Sequence, residues 1–270
     1  MCSEFVRIIA SNALHSLLNK SILGKFFTFA LFMNKLLLLF TQGGLQYQLS
    51  KSRNVLEEQP YFLDEEAPEN FLSSKLEEIL QKNYDEVRVI SALNRFSLLP
   101  IGFKEHQMGH QLINYNAPTD EQTDELMLSI NKPFGVQFYY TFPKEFYHKI
   151  KGVGVPSYFN FSGEKFLSSI SPKNKKEIHI NLYHHQCEFI ALDKKKLILY
   201  NNLDINSEVD FLYFVMFTLS KIGFGIHETH FFIYGETTEN ETFISELQKF
   251  VKRIKIIVDN IPKRNFILNY

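Results

Sequence analysis

The 270-residue sequence has no tryptophan and only two cysteines, Cys2 and Cys187. Two cysteines, one of them beside the N-terminus, do not make a disulfide framework and favour a reducing compartment. An excess of charge is missing too, because 29 Lys and Arg offset 30 Asp and Glu. A net charge of −1 would not steer the protein to nucleic acid or to an anionic membrane. The composition therefore predicts a cytoplasmic globular protein without a nucleic-acid partner.

A long apolar run is also lacking, although residues 22–40 are rich in Phe and Leu. Lys25, Asn34 and Lys35 interrupt this segment, and its longest run, 26–33, has 8 residues where a membrane span needs about 20. No small-residue cleavage site follows. Three interpretations stay open for residues 1–32: a membrane or export signal, an amphipathic helix, or an extension ahead of a start at Met33. The self-sufficient pattern from Leu36 onward favours the extension, and we expect no membrane contact unless residues 1–32 are native.

The first part of the chain begins with a predicted β-hairpin, 36–41 and 45–50, joined by Gln42, Gly43 and Gly44. Paired glycines supply the positive φ that tight hairpin turns require. The patterns that follow predict a strand over 54–63, a helix over 68–83, strands over 86–91, 96–101, 127–130 and 136–142, and helices after Pro143 and over 163–170. Residues 102–125 read as a polar loop, and 171–176 as a linker.

The second part gives the clearer pattern. Its pattern predicts three short strands over 178–183, 188–192 and 197–201, followed by a helix over 207–222 that Ser207 caps. A strand over 231–234, an amphipathic helix over 239–253 and a final strand over 254–258 complete it. The helix over 207–222 is apolar on most sides, so we expect it to be buried.

This order predicts an α/β protein made of two βββαβαβ halves that face each other. Each half would carry a mixed five-stranded sheet with flanking helices, since a three-stranded meander followed by two crossovers gives that arrangement. The expected divisions are an extension over 1–32, a first half over 33–172 and a second half over 173–270.

Several of these segments resemble known proteins. Residues 178–210 resemble the second phosphate hairpin of actin-like ATPases, Gln42–Gly44 would occupy the first, and FFIYGETTEN (231–240) the segment beside the adenosine. More specifically, YDEVRVIS (84–91), LLP (98–100), KKLILYNN (195–202), EVDFLYFVMFTL (208–219) and FFIYGE (231–236) resemble the bacterial domain-of-unknown-function family 3822. The resemblance implies an actin-like, ribonuclease-H-like fold and no established activity.

The residues that this resemblance would place at the nucleotide do not suit phosphate. Actin-like ATPases need a carboxylate near each phosphate hairpin to hold Mg²⁺, and glycine for close backbone approach. Residues 36–41 carry no Asp, and the second turn has Tyr, His and Gln instead of Gly and Asp. Gly43, Gly44, His184 and Gly235 are the positions that a vestigial nucleotide cleft would retain.

Other chemistries find little support in the sequence. A ribonuclease-H-like nuclease needs several carboxylates for two metals, and the first strand of the second half offers only Asn181. His184, His185, Cys187, His227 and His230 could form a zinc cluster, but a helix separates the two groups. No Gly-x-Ser-x-Gly motif occurs. We therefore predict no catalytic residue, no metal and no cofactor.

The leading hypothesis is a non-catalytic protein-binding or assembly scaffold with a degenerate actin-like fold and an unknown protein partner. A nucleotide-binding actin-like ATPase with unusual ligands is one alternative. A membrane-associated partner protein is another, if residues 1–32 are native.

Overall fold

The computed structural model describes residues 33–52, 54–64, 66–104, 108–237, 240–257 and 265–269. The predicted extension over 1–32 lies outside these residues. None of the helices in the described ranges is long and apolar enough to cross a membrane.

The first half is built on a five-stranded mixed sheet with the strand order β3-β2-β1-β4-β8. Its elements are β1 (Asn34–Thr41), β2 (Gly44–Lys51), β3 (Asn54–Phe62), α1 (Phe71–Leu80), β4 (Glu86–Ser91) and β8 (Ser157–Phe161). β1 pairs antiparallel with β2 and parallel with β4. The predicted hairpin and the strands over 54–63 and 86–91 are confirmed, and the helix is shorter than predicted.

The run of leucines at 36–39 is the central strand of this sheet. Leu36 and Leu38 pack into a core on the outer side of the sheet, whereas Leu37 and Leu39 pack into a core on the inner side. A strand covered on both faces reads as a continuous apolar run, since successive side chains point to opposite faces. The outer core is closed by α1, which contacts the helix Lys144–Lys151.

A second small sheet is inserted between β4 and β8. It consists of β5 (Phe96–Pro100), β6 (Asp124–Asn131) and β7 (Val136–Pro143) in the order β5-β7-β6, with α2 (Gly109–Asn114) and α3 (Lys144–Lys151) beside it. All three strands were predicted. α2 lies in the segment that was predicted as a loop, and β8 was missed because it directly follows a Gly- and Pro-containing stretch.

The second half repeats the plan of the first, with the strand order β11-β10-β9-β12-β13. The segment α4 (Ser162–Ser169) leads into it, and its elements are β9 (Lys176–Tyr183), β10 (Gln186–Asp193), β11 (Lys196–Asp204), α5 (Glu208–Ile222), β12 (His230–Gly235), α6 (Glu241–Phe250) and β13 (Ile254–Ile256). A short 3-10 helix spans Phe266–Asn269. Two mixed sheets with flanking helices confirm the predicted fold class, while the boundary at 172 and 173 stays a prediction.

Helix α5 begins and ends where the sequence predicts. The Ser207 side chain accepts a hydrogen bond from the backbone N–H of Asp210, and Gly223 ends the helix in the left-handed conformation. The prediction that this helix is buried is wrong. Only one face packs on the sheet, through residues such as Phe211 and Val215, while Tyr213 on the opposite face is exposed.

The two sheets enclose a shared core. Residues from the inner faces of both, including Leu39 of β1 and Ile190 of β10, form one cluster with Phe138 of the small sheet and Phe161 of β8. Each large sheet has a separate core on its outer side. The two halves therefore face each other across packed side chains.

Candidate functional site: the junction of the two hairpins

The turn between β1 and β2 touches the turn between β9 and β10. Gly43, in the first turn, lies so close to the second that a Cβ atom on it would be 2.6 Å from the carbonyl oxygen of His184. The backbone N–H of Gln42 donates to Gln186 Oε1 at 3.0 Å. The His184 ring also packs on Phe62, with ring centroids 4.5 Å apart. Two of the predicted site residues, Gly43 and His184, are thus in direct contact.

The other two predicted glycines are packed against backbone of their own halves. A Cβ atom on Gly44 would be 2.1 Å from the carbonyl oxygen of Tyr61. Gly235 has φ +83°, and a Cβ atom there would be 2.3 Å from the carbonyl oxygen of Leu182. Both glycines allow a close approach between strands of the protein itself. Their assignment to a nucleotide cleft stays a prediction.

Behind the turns, Gln186 links the two halves through buried amide groups. Its Nε2 donates to the carbonyl oxygen of Ala92 at 2.5 Å and to Asn202 Oδ1 at 2.7 Å. Asn202 Nδ2 donates to the same carbonyl at 2.9 Å. Because Gln186 also accepts from the backbone N–H of Gln42, it joins the residues that follow the C-terminal ends of β1 and β4 to the second hairpin.

Deeper in the junction lies a fully buried carboxylate, Glu188 of β10. It accepts hydrogen bonds from the hydroxyls of Ser162 (2.5 Å), Tyr183 (2.6 Å) and Tyr200 (2.7 Å) and from the side-chain amide of Asn181 (3.0 Å). Burial raises the pKa of Glu188, and the four donors act in the opposite direction. Ser162 opens α4, so this network ties the end of the first half to the second sheet.

Sequence reasoning missed Glu188 as a site residue. Its strand was predicted, and alternation along a strand places Glu188 on the same face as Ile190 and Leu192. Both of those residues belong to the core between the sheets. A carboxylate on the same strand face as two core residues was the signal in the sequence that predicts a buried acidic group.

A second direct link between the halves joins β2 to the segment after β12. Gln46 Nε2 donates to Glu236 Oε1 at 2.5 Å, and both side chains are buried. The backbone N–H of Glu236 donates to the carbonyl oxygen of Leu182 at 2.9 Å. Residue 236 follows Gly235, where the resemblance placed the adenosine, and its side chain is directed to the other half instead.

Outside the junction, an open groove of about 660 Å³ runs along the two turns. Asp64 and Asp204 line it, together with His184 and His185. Burial and the neighbouring His185 lower the pKa of His184, so its imidazole is neutral at pH 7. The groove therefore offers carboxylates and a neutral imidazole where a phosphate would need positive charge or free N–H groups. In the described part of the chain, no group of three or more His, Cys, Asp or Glu side chains could hold a metal ion.

Known structures share this architecture. A protein of unknown function with an actin-like ATPase fold from Bacteroides thetaiotaomicron superimposes with a TM-score of 0.72 at 18% identity, over 90% of this chain and 96% of that chain. A chain of the PilM–PilN type IV pilus biogenesis complex superimposes with a TM-score of 0.51 at 10% identity, over 83% of this chain and 88% of that chain. Both likenesses concern the fold.

Sequence comparison gives the family. No curated protein matches the chain. The model of a protein family of unknown function, DUF3822, matches residues 28–254, which take in the small insertion and both sheets as far as the first residue of β13. This protein is therefore a member of the DUF3822 family and has an actin-like ATPase fold.

Proposed function

We propose that this protein is a non-catalytic, cytoplasmic protein-binding or assembly scaffold that keeps the actin-like fold without its nucleotide chemistry. One observation carries the proposal: the turns of the two hairpins contact each other, through Gln42 and Gln186 and through Gly43 and His184. In an actin-like ATPase the phosphates would have to lie between these turns. Here the backbone of one turn occupies the space beside the other.

The side chains at the junction support the same proposal. Phosphoryl transfer needs Mg²⁺, held by carboxylates near the phosphates, and an oriented nucleophile. Glu188 is the buried carboxylate nearest the second turn in sequence, and four donors within the protein already engage its two oxygens. Beside it, the side-chain amides of Gln186 and Asn202 are hydrogen-bonded to the carbonyl oxygen of Ala92 and to each other.

Since the junction does not suit a nucleotide, we propose a protein as the ligand. The fold of this chain also occurs in a chain of the PilM–PilN complex, an assembly of two proteins. A protein partner needs exposed surface and no phosphate cleft, so the contact between the two turns does not weaken its binding.

The test is thermal unfolding of the full-length protein with and without millimolar ATP and Mg²⁺. A ligand present at 100 times its dissociation constant adds about 2.7 kcal/mol to stability, which shifts the melting temperature visibly. We expect no shift. A clear shift would overturn the scaffold proposal in favour of a nucleotide-binding protein with unusual ligands, and the same titration with ATP alone would show whether Mg²⁺ takes part.

A second measurement separates the scaffold from a membrane-associated protein. The intact mass of the protein from its native cells shows whether translation starts at Met1 or Met33. The scaffold proposal predicts the mass of the shorter chain in the soluble fraction. The longer chain, recovered with membranes, would contradict it.

A further inference from the structure

Helix α5 carries an apolar stripe on the face that points away from the sheet. Val209, Tyr213 and Phe217 are 74%, 68% and 46% exposed. They recur every four residues, so they lie one above the other along the helix. The Tyr213 and Phe217 rings stack, with centroids 5.7 Å apart, which presents a continuous apolar surface. Scattered exposed apolar residues are ordinary, but a contiguous stripe on one helix marks an interaction surface.

Two charges of opposite sign flank the stripe on the same edge. Asp210 lies in the first turn of α5 and Lys221 in the last. The two are 11 residues apart in the sequence, which is close to three turns at 3.6 residues per turn, so their side chains leave the helix in nearly the same direction. Lys221 Nζ lies 5.1 Å from the centroid of the Phe217 ring, which keeps this charge beside the apolar surface.

We propose that α5 pairs antiparallel with α5 of a second copy of this chain, stripe against stripe. A two-fold axis midway between Asp210 and Lys221 sets Asp210 of each copy opposite Lys221 of the other. Residues on the same edge of two antiparallel helices meet across the interface, so both oppositely charged pairs form at once. In a parallel two-fold pair this edge of one helix lies on the opposite side of the interface from the same edge of the other helix, so neither charged pair would form. The charge pattern therefore selects one partner and one orientation.

The expected association is weak. The stripe from Val209 to Lys221 is about 18 Å long at 1.5 Å per residue. One helix face of that length falls short of the roughly 1,200–2,000 Å² that stable interfaces bury. The dimer should therefore form at high protein concentration and dissociate on dilution. This inference adds a partner to the proposed scaffold function and rests on it.

Sedimentation equilibrium of the full-length protein over a range of concentrations measures the dissociation constant of the dimer. Phe217→Gln removes apolar surface close to the proposed two-fold axis and should weaken the dimer about tenfold or more. The matched control is Leu56→Gln on β3, which alters a residue 56% exposed in the first half and should leave the constant unchanged. Thermal unfolding of each variant confirms that it is folded.

Charge reversal tests the orientation. Lys221→Glu alone and Asp210→Lys alone should each weaken the dimer about tenfold, and the double variant should recover the affinity. Asp210 also accepts a hydrogen bond from the Ser207 hydroxyl at 2.8 Å, so both Asp210 variants lose this contact, and recovery in the double variant cannot come from the helix cap. A failure to recover would overturn the antiparallel pair.

Two further results would overturn the inference. One is a wild-type protein that stays monomeric at every concentration, and the other is a dimer that Phe217→Gln leaves intact. A monomeric protein that floats with phosphatidylglycerol vesicles would assign the stripe to a lipid surface instead. An ATP-dependent thermal shift bears only on the proposed scaffold function, so the failures of the two proposals are distinguishable.

Discussion

The carbonyl oxygen of His184 occupies the space beside Gly43, at 2.6 Å from where a Cβ atom would be. In the resembling ATPases a glycine in this hairpin lets the backbone approach phosphate. Here the same residue type lets one hairpin approach the other. Gly43 thus serves a close contact within the protein itself.

Gly43→Ala should destabilise the protein by about 1–3 kcal/mol, because the new methyl group meets backbone that cannot rotate away. Denaturant unfolding measures the change. Gly225→Ala is the matched control, since the atoms nearest a Cβ there belong to the flexible side chain of Glu228. Equal stability of the two variants would show that the hairpins separate readily in solution.

Gln186→Leu should also destabilise the protein, by about 1–3 kcal/mol, because the change leaves the Gln42 N–H and Asn202 Oδ1 without their buried partner. Urea unfolding measures it. The exposed Gln122 provides a control of the same chemistry, and Gln122→Leu should change stability far less. If both variants unfold at the same urea concentration, the amide bridge does not hold the halves together.

Glu188 should make stability depend on pH. Burial raises its folded pKa above the ordinary 4.5, so the folded state binds the proton more tightly than the unfolded state. The stability due to this group is therefore complete below pH 4.5 and is lost as the pH rises through the folded pKa. Glu188→Gln does not titrate. The free energy of unfolding of the wild type minus that of the variant should fall as the pH rises above 4.5 and then level off.

Subtracting the variant's free energy of unfolding cancels the pH dependence that the other acidic groups contribute. Glu177 and Glu228 have lowered pKa values and contribute pH dependence of the opposite sign in both proteins. Urea unfolding of wild type and Glu188→Gln in parallel across the acidic range gives the difference. A difference that rises with pH would mean that the four donors outweigh burial and lower the pKa of Glu188.

The repeated sheet plan could be predicted because its signals are local. Strand periodicity, the glycines after Thr41 and the cap at Ser207 each depend on a few neighbouring residues. Strand β8 was missed because it directly follows a stretch with Gly152, Gly154 and Pro156, residue types that indicate a loop. The exposed stripe of α5 was missed for another reason: an all-round apolar helix predicts burial, and only the assembled layers show that nothing in the described chain covers Tyr213.

The junction could not be predicted because its contacts join distant residues. Gln42 and Gln186 are 144 positions apart, and Ser162 and Glu188 are 26 apart. Alternation shows which face Glu188 occupies, but the donors that meet it depend on how the two sheets pack. The resemblance identified the two turns correctly as equivalent hairpins and could not show that they touch.

Gly163 also allows a close approach, in this case between α4 and the Tyr200 ring of the Glu188 network. A Cβ atom on this residue of α4 would be 2.5 Å from Tyr200 Cζ and 2.6 Å from its hydroxyl oxygen. Tyr200 cannot easily move, since its ring packs against Phe96 and Phe138 with centroids 5.2 and 5.1 Å away. Its hydroxyl also donates to Glu188.

Gly163→Ala should therefore destabilise the protein, although replacing Gly by Ala inside a helix ordinarily stabilises it by about 1 kcal/mol. Overpacking a filled core costs about 1–3 kcal/mol, and displacement of Tyr200 adds the loss of a donor to a buried carboxylate. A double-mutant cycle with Tyr200→Leu isolates the cause by urea unfolding, because the penalty of Gly163→Ala should shrink when the ring is absent. A stabilising Gly163→Ala would mean that the ring and the carboxylate separate at little cost, and that the network does not fix how the halves pack.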